Sequence, residues 1–276
     1  MIKSNSVCIY TTGRSGGNLV EALLSSRKVH TLSEIFTFSG SYSRAKFLES
    51  LAVLKQRDAI KDDKFYRLAV LCLEAEKSNS IEPFVNNKDL DAELLSLFIS
   101  ETGKHYRADT VMFRYMGWYD EGLKLDFKQF FPVIDTFIFL HRENTLRQWL
   151  SFSRAFKSNT WILFDKEKKE DVKVHWNKQE YLNFFEHKKR VTHSMFQNFK
   201  AFTGKKCFLT YEEIADEETQ ATVLRNKFLE ANISLEVHGN FVPVKQSSER
   251  SLEKNFENEE DFLADYPSIK DKTLIN

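Results

Sequence analysis

Gly13, Arg14, Ser15, Gly16 and Gly17 close a short apolar run, Val7 to Tyr10, and lead into a helix-forming stretch that begins at Leu19. These residue types at this spacing suit oxyanion binding. Glycines let the backbone approach an anion closely, and the first amides of a following helix, with the positive end of its dipole, point at the charge. Arg14 adds a planar guanidinium that grips oxyanions bidentately and keeps its charge. The plainer reading is a tight strand-to-helix turn carrying a solvated Arg. The loop is not a Walker A sequence, because Gly17 is followed by Asn18 and Leu19, where GxxxxGK[ST] requires Lys and a Mg-binding hydroxyl.

A second constellation lies in Asp135-Thr-Phe-Ile-Phe-Leu-His-Arg-Glu-Asn-Thr-Leu-Arg-Gln-Trp-Leu-Ser-Phe-Ser153, a strand that ends in a charged turn and enters an amphipathic helix. Arg142 stands at the strand's carboxyl edge. Ser151 follows nine positions on, about two and a half helical turns, so it can face the same cleft and offer a hydroxyl donor. Two anion-binding elements at the carboxyl ends of parallel strands suit a ligand with two separated phosphates.

The elements that must position these groups follow from apolar periodicity. Besides the first run, Thr110 to Tyr115, Asp135 to His141 and Lys206 to Thr210 read as buried strands followed by polar or helix-forming sequence, the rhythm of βα units around a mostly parallel sheet. Between the first two strands, Arg44 to Lys55, Asp63 to Glu76 and Asp89 to Glu101 carry apolar residues at three-and-four spacing and read as helices. Asn177 to Phe202 is the longest helix candidate; His187-Lys-Lys-Arg190 within it reads as a solvated face rather than a polybasic patch. The expected fold is α/β, P-loop-like and three-layered (α/β/α), with a mostly parallel central sheet and helical insertions. A single domain over 1–276 is expected, with a helical insertion at about 41–105 and a covering C-terminal segment at about 240–276.

Composition narrows the function classes. Lys plus Arg and Asp plus Glu balance at 40 each, so no global field favours nucleic acid and an anion site must be built locally. Met1 to Ser6 are polar, and the longest apolar stretches fall far short of the roughly 20 residues a membrane helix needs, so neither a leader nor a transmembrane segment is expected. Cys8, Cys72 and Cys207 are odd in number and widely spaced, which suits a reduced cytoplasmic chain in which all three are small core residues. No HExxH or Asp-rich spacing calls for a metal. The 25 Phe residues read as core and groove wall. A homodimer is compatible with the chain.

The ordered pieces resemble sulfotransferases that use 3′-phosphoadenosine 5′-phosphosulfate, most closely the bacterial carbohydrate and glycolipid enzymes. Thr11-Thr-Gly-Arg-Ser-Gly-Gly-Asn-Leu19 is similar to that family's 5′-phosphosulfate loop, and Leu140-His-Arg-Glu-Asn-Thr-Leu-Arg-Gln-Trp-Leu-Ser151 to its 3′-phosphate strand and helix. Phe113-Arg-Tyr-Met116 resembles its internal strand, which commonly has Lys at the place of Arg114, and Leu209-Thr-Tyr-Glu-Glu-Ile214 its Tyr-Glu strand end. Val244-Lys-Gln-Ser-Ser248 with Glu257-Asn-Glu-Glu-Asp261 resembles its cofactor-covering segment. Family loops usually carry Ser or Thr where Asn18 stands, and many have Lys in place of Arg14. The middle helices and Lys157 to Lys178 are unmatched.

The resemblance implies in-line sulfuryl transfer to an acceptor hydroxyl of a small molecule, glycan or glycolipid, without a metal. It places Arg14 at the bridging oxygen, the backbone of Ser15, Gly16, Gly17, Asn18 and Leu19 at the 5′-phosphate, Arg142 and Ser151 at the 3′-phosphate, and Lys245 and Gln246 over the cofactor. Glu34, in His30-Thr-Leu-Ser-Glu-Ile-Phe36, is the favoured general base, with His30 the competitor. Arg114 is a weaker candidate for contacting the acceptor, with pairing to a core carboxylate as the alternative. Tyr211 and Glu212 read as structural. Trp118, Trp149, Trp161 and Trp176 offer faces on which sugar rings could stack. The alternatives in function are a noncatalytic nucleotide-binding protein and a divergent P-loop-like kinase; the latter lacks the Walker Lys.

Overall fold

Strand β1 (Asn5–Thr11) lies at the centre of a five-stranded, all-parallel sheet ordered β2-β3-β1-β4-β5 in a computed structural model of the chain. The structure describes residues 4–34, 36, 41–78, 80–158, 172–238 and 251–269. The remaining strands are β2 (Val29–Glu34), β3 (Thr110–Met116), β4 (Thr136–His141) and β5 (Lys205–Thr210). Helix α1 (Gly17–Leu24) follows β1; α2 (Ser41–Gln56), α3 (Asp62–Ser78) and α4 (Ala92–Tyr106) bridge β2 and β3. The short α5 (Tyr119–Leu123) follows β3, α6 (Thr145–Ser158) and α7 (Lys178–Ala201) join β4 to β5, and α8 (Tyr211–Ile214), α9 (Gln220–Glu230) and α10 (Glu259–Asp265) complete the chain. This is the expected three-layer α/β/α arrangement.

Alternation along the strands sorts side chains between two cores. Val7, Ile9, Met112, Ile138, Leu140, Cys207 and Leu209 face α1 and α9. Cys8, Tyr10, Phe113, Tyr115, Phe137 and Phe139 face the other layer, where α2, α3, α4 and α7 pack. The same parity puts Arg114 of β3 on the α1 side and His141, the last residue of β4, on the α7 side; Arg142, one residue past β4, follows it to the α1 side. A third cluster joins Trp149 and Trp176 to Tyr181, Phe256 and Phe262, seating residues 251–269 on α6 and α7. All three cysteines are free and buried, as the sequence implied.

Three expectations need correction. The segment between the first helix and the helical insertion, in which no strand was expected, forms β2, with Glu34 as its last residue. Lys188 is only 3% exposed, so the His187–Arg190 run is not a solvated face throughout. Trp149 and Trp176 are core residues of the third cluster, and Trp161 lies outside the described residues.

Candidate functional site

The turn from β1 into α1 uses two left-handed residues within three positions, Arg14 (φ 63°) and Gly16 (φ 88°). Gly16 adopts that conformation freely, whereas Arg14 is held in it at a cost of about 1–2 kcal/mol. Glycine is also required by space: a Cβ on Gly16 would sit 2.6 Å from the Tyr211 ring, and one on Gly17 would sit 2.8 Å from Arg114 Cδ. Leu19 and Val20 donate their amides to the Gly16 carbonyl. The amides of Gly16, Gly17 and Asn18 find no acceptor among the described residues, so the helix start presents a nest of unused donors.

Gln148 on α6 fixes this loop from below, and the sequence reading missed it. Fully buried, it places Nε2 2.9 to 3.0 Å from Thr12 Oγ1 and Ser15 Oγ and against the Gly13 carbonyl. Thr12 and Ser15 hydroxyls are in turn 2.9 Å apart. The signal in the sequence was spacing, since Gln148 stands three residues before Ser151 and shares its helical face.

Arg142, Ser151 and Arg14 converge. Arg142 Nη1 donates to the Arg14 carbonyl (2.9 Å), and Arg14 Nε donates to Ser151 Oγ (3.0 Å). The Arg142 guanidinium lies 4.4 Å above the Tyr211 ring, and its Nε is buried with no hydrogen-bond partner. Glu212 accepts from the amides of Glu143 and Asn144, tying the turn after β4 to the residues that follow β5, and Tyr211 lies against Arg142 at the loop. Burial and the neighbouring charge of Arg142 pull the Arg14 guanidinium down to about 10. Two desolvated cations side by side make the local potential positive.

Lys188 adds another cation, buried beneath the same turn. Its Nζ donates to the Arg142 carbonyl at 2.6 Å. Burial, then the charge of Arg142, lower its pKa to about 7, with Glu212 opposing. Beside it, burial and the Lys188 charge push His141 down to about 3, so its imidazole is neutral. The folded state therefore binds fewer protons at Lys188 than the unfolded chain does between about 7 and the ordinary value of 10.5. Stability rises with pH across that window, and the cost of the buried charge is fully present below it. Lys188→Met is expected to stabilise the ligand-free protein by about 1–3 kcal/mol at pH 6, with the gain shrinking towards pH 9.5. Denaturant midpoints of both proteins at these pH values check this; a constant difference would place the pH dependence elsewhere.

On the other side of β1, Arg114 pairs with Glu34 (3.2 Å) and with Glu21 of α1 (3.0 Å). It thus meets carboxylates rather than open solvent. Glu34 is half-buried at the carboxyl edge of β2, near enough to act on the charge of Arg14. His30 lies at the opposite end of β2, stacked on Tyr106 with ring centroids 3.9 Å apart, and is not brought to the loop. Trp118 packs against Gly13, where a Cβ would meet its ring at 2.4 Å. Lys245, Gln246 and Ile35 lie outside the described residues.

Strand order explains the location. From β1 the chain crosses to the β2 side, whereas from β4 it proceeds to β5, so the crevice between the carboxyl ends of β1 and β4 is the switch point at which open α/β sheets bind ligands. Among the described residues no cluster of His, Cys, Asp and Glu could hold a metal ion, and no helix is long and apolar enough to cross a membrane. Comparison with known proteins finds no family model that matches the chain and no significantly similar curated protein.

Proposed function

We propose that this protein transfers a sulfuryl group from 3′-phosphoadenosine 5′-phosphosulfate to an acceptor hydroxyl, on a carbohydrate or glycolipid. The observation that carries the reading is the convergence of Arg14, Arg142 and Ser151 on the glycine loop. The donor's charges fit these groups: the unused amides of Gly16 to Asn18 suit the 5′-phosphate, and the Arg142 guanidinium beside the loop supplies a charge for the 3′-phosphate. Ser151 Oγ accepts from Arg14, which leaves its hydroxyl hydrogen to donate to an oxyanion.

In the transfer, the acceptor O–H bond breaks and its proton passes to Glu34. The acceptor oxygen bonds to sulfur as the sulfur–oxygen bond to the 5′-phosphate breaks, its electron pair staying on the phosphate. Positioning and charge stabilisation carry most of such a displacement, and Arg14 faces the oxygen that gains charge. The donor's mixed anhydride is already activated, and the neighbouring cations are side chains. Turnover is therefore expected to persist in excess EDTA; activity lost to EDTA and restored by Mg²⁺, with ATP as donor, would favour the kinase alternative.

Isothermal titration with adenosine 3′,5′-bisphosphate, AMP and ATP tests the reading directly. Tight binding of the bisphosphate alone is the expected result, and it would justify screening sugar acceptors with the sulfated donor. Preference for ATP, or no binding, would overturn it.

A further inference from the structure

Arg114 commits its guanidinium to three protein groups. Nε faces Glu21 Oε1 at 3.0 Å, Nη1 faces Glu34 Oε1 at 3.2 Å, and Nη2 donates to Ser33 Oγ at 3.1 Å. Only 5% exposed, it has its stem wedged under Gly17, the first residue of α1. The contact with Glu34 depends on an irregularity in β2. Thr31 pairs with Met112, and regular pairing would then set Ser33 opposite Arg114 and turn Glu34 to the far face of the sheet. Instead the register shifts, and Glu34 itself stands opposite Arg114. Ser33 absorbs the extra residue in the left-handed region, at φ 55°, a conformation that L-residues occupy at a cost. The bulge thus delivers both the Ser33 hydroxyl and the Glu34 carboxylate to one guanidinium.

Glu21 supplies the other half. It is buried in α1, where desolvation raises its pKa while Arg114 and a hydrogen bond from Thr31 Oγ1 act in the opposite direction. One cation therefore serves two unlike carboxylates, an interior one on a helix and a half-buried one at the strand end.

We propose that Arg114, anchored by Glu21, is the positioning residue that holds the Glu34 carboxylate at the mouth of the glycine loop. The inference rests on the reading of Glu34 as general base and gives the pairing a purpose. When Glu34 accepts a proton, Arg114 still faces the Glu21 carboxylate, so no bare cation is left in the interior. In this role Arg114 acts through Glu34, which distinguishes it from substrate binding.

A double-mutant cycle between Arg114→Gln and Glu34→Gln tests it, read by turnover, by titration with adenosine 3′,5′-bisphosphate and by denaturant unfolding. Arg114→Gln alone is expected to lower kcat by about 10- to 100-fold, the scale of a misplaced catalytic group, with the bisphosphate Kd changed by less than about threefold. In the Glu34→Gln background the same substitution should cost less than about twofold further, because the group being positioned has already gone. Multiplicative losses would overturn the proposal. Arg114→Lys, which keeps charge but cannot span three partners, should recover only part of kcat; full recovery would also overturn it. If the wild-type protein binds no bisphosphate and transfers no sulfuryl group, the function reading fails by itself. The positioning claim is then decided by unfolding: a coupling of about threefold or more between the two sites in the unfolding constant supports it, and strict additivity defeats it. Should Arg114→Gln not fold, Glu21→Gln replaces it in the same cycle, with the same expected non-additivity.

Discussion

Glu34→Gln is expected to lower turnover by about 10²- to 10⁴-fold, the usual contribution of a general base, while leaving affinity for adenosine 3′,5′-bisphosphate nearly intact. The substitution preserves shape and leaves a carbonyl oxygen to accept from Arg114, 3.2 Å away. What it removes is the capacity to take a proton. Arg114 keeps its second counter-charge in Glu21, so the core beneath the loop stays paired and the protein remains folded. Single-turnover measurements with bound donor would separate the chemical step from binding. Unchanged turnover would hand the base role to another residue, and an equal fall in bisphosphate affinity would mean that Glu34 shapes the loop.

Arg142→Ala should weaken binding of adenosine 3′,5′-bisphosphate by roughly 10- to 150-fold, the equivalent of about 1.5–3 kcal/mol for a hydrogen bond to a charged group. Binding of AMP, which has no 3′-phosphate, should fall much less. The comparison matters because Arg142 also donates to the Arg14 carbonyl and stacks on Tyr211, so its removal will loosen the loop somewhat. AMP reports that loosening alone. Equal losses for the two ligands would assign Arg142 to loop support and remove it from the 3′-phosphate site.

The loop and the β4–α6 turn were legible because their chemistry is local. Glycines at fixed offsets force a backbone path, and an Arg at the end of a buried strand emerges at the sheet edge. Strand β2 was not legible, for its Val-His-Thr-Leu-Ser-Glu sequence mixes apolar and polar residues on an edge strand and has no clean alternation. Its bulge at Ser33 breaks the period further, so although Glu34 and Arg114 were each singled out, their pairing could not be read from spacing. Gln148 and Lys188 were hidden differently. Each is a polar residue set inside an apolar stripe, and Lys188 falls in register with Tyr181, Phe185, Val191 and Met195 on α7. Reading a charge run as one solvated face averages over the helical period; position by position, Lys188 belongs to the buried side.

Arg14 and Arg142 meet at one crevice, and burial lowers the pKa of both guanidinium groups without discharging them. The fold itself holds these two like charges side by side, and a polyanion bound between them would relieve their repulsion. That relief is available to a spent nucleotide as well as a loaded one, since both carry a 3′-phosphate and a 5′-phosphoryl group. On the proposed reading, the by-product therefore competes with the donor for the same pair of cations, and turnover falls as the bisphosphate accumulates.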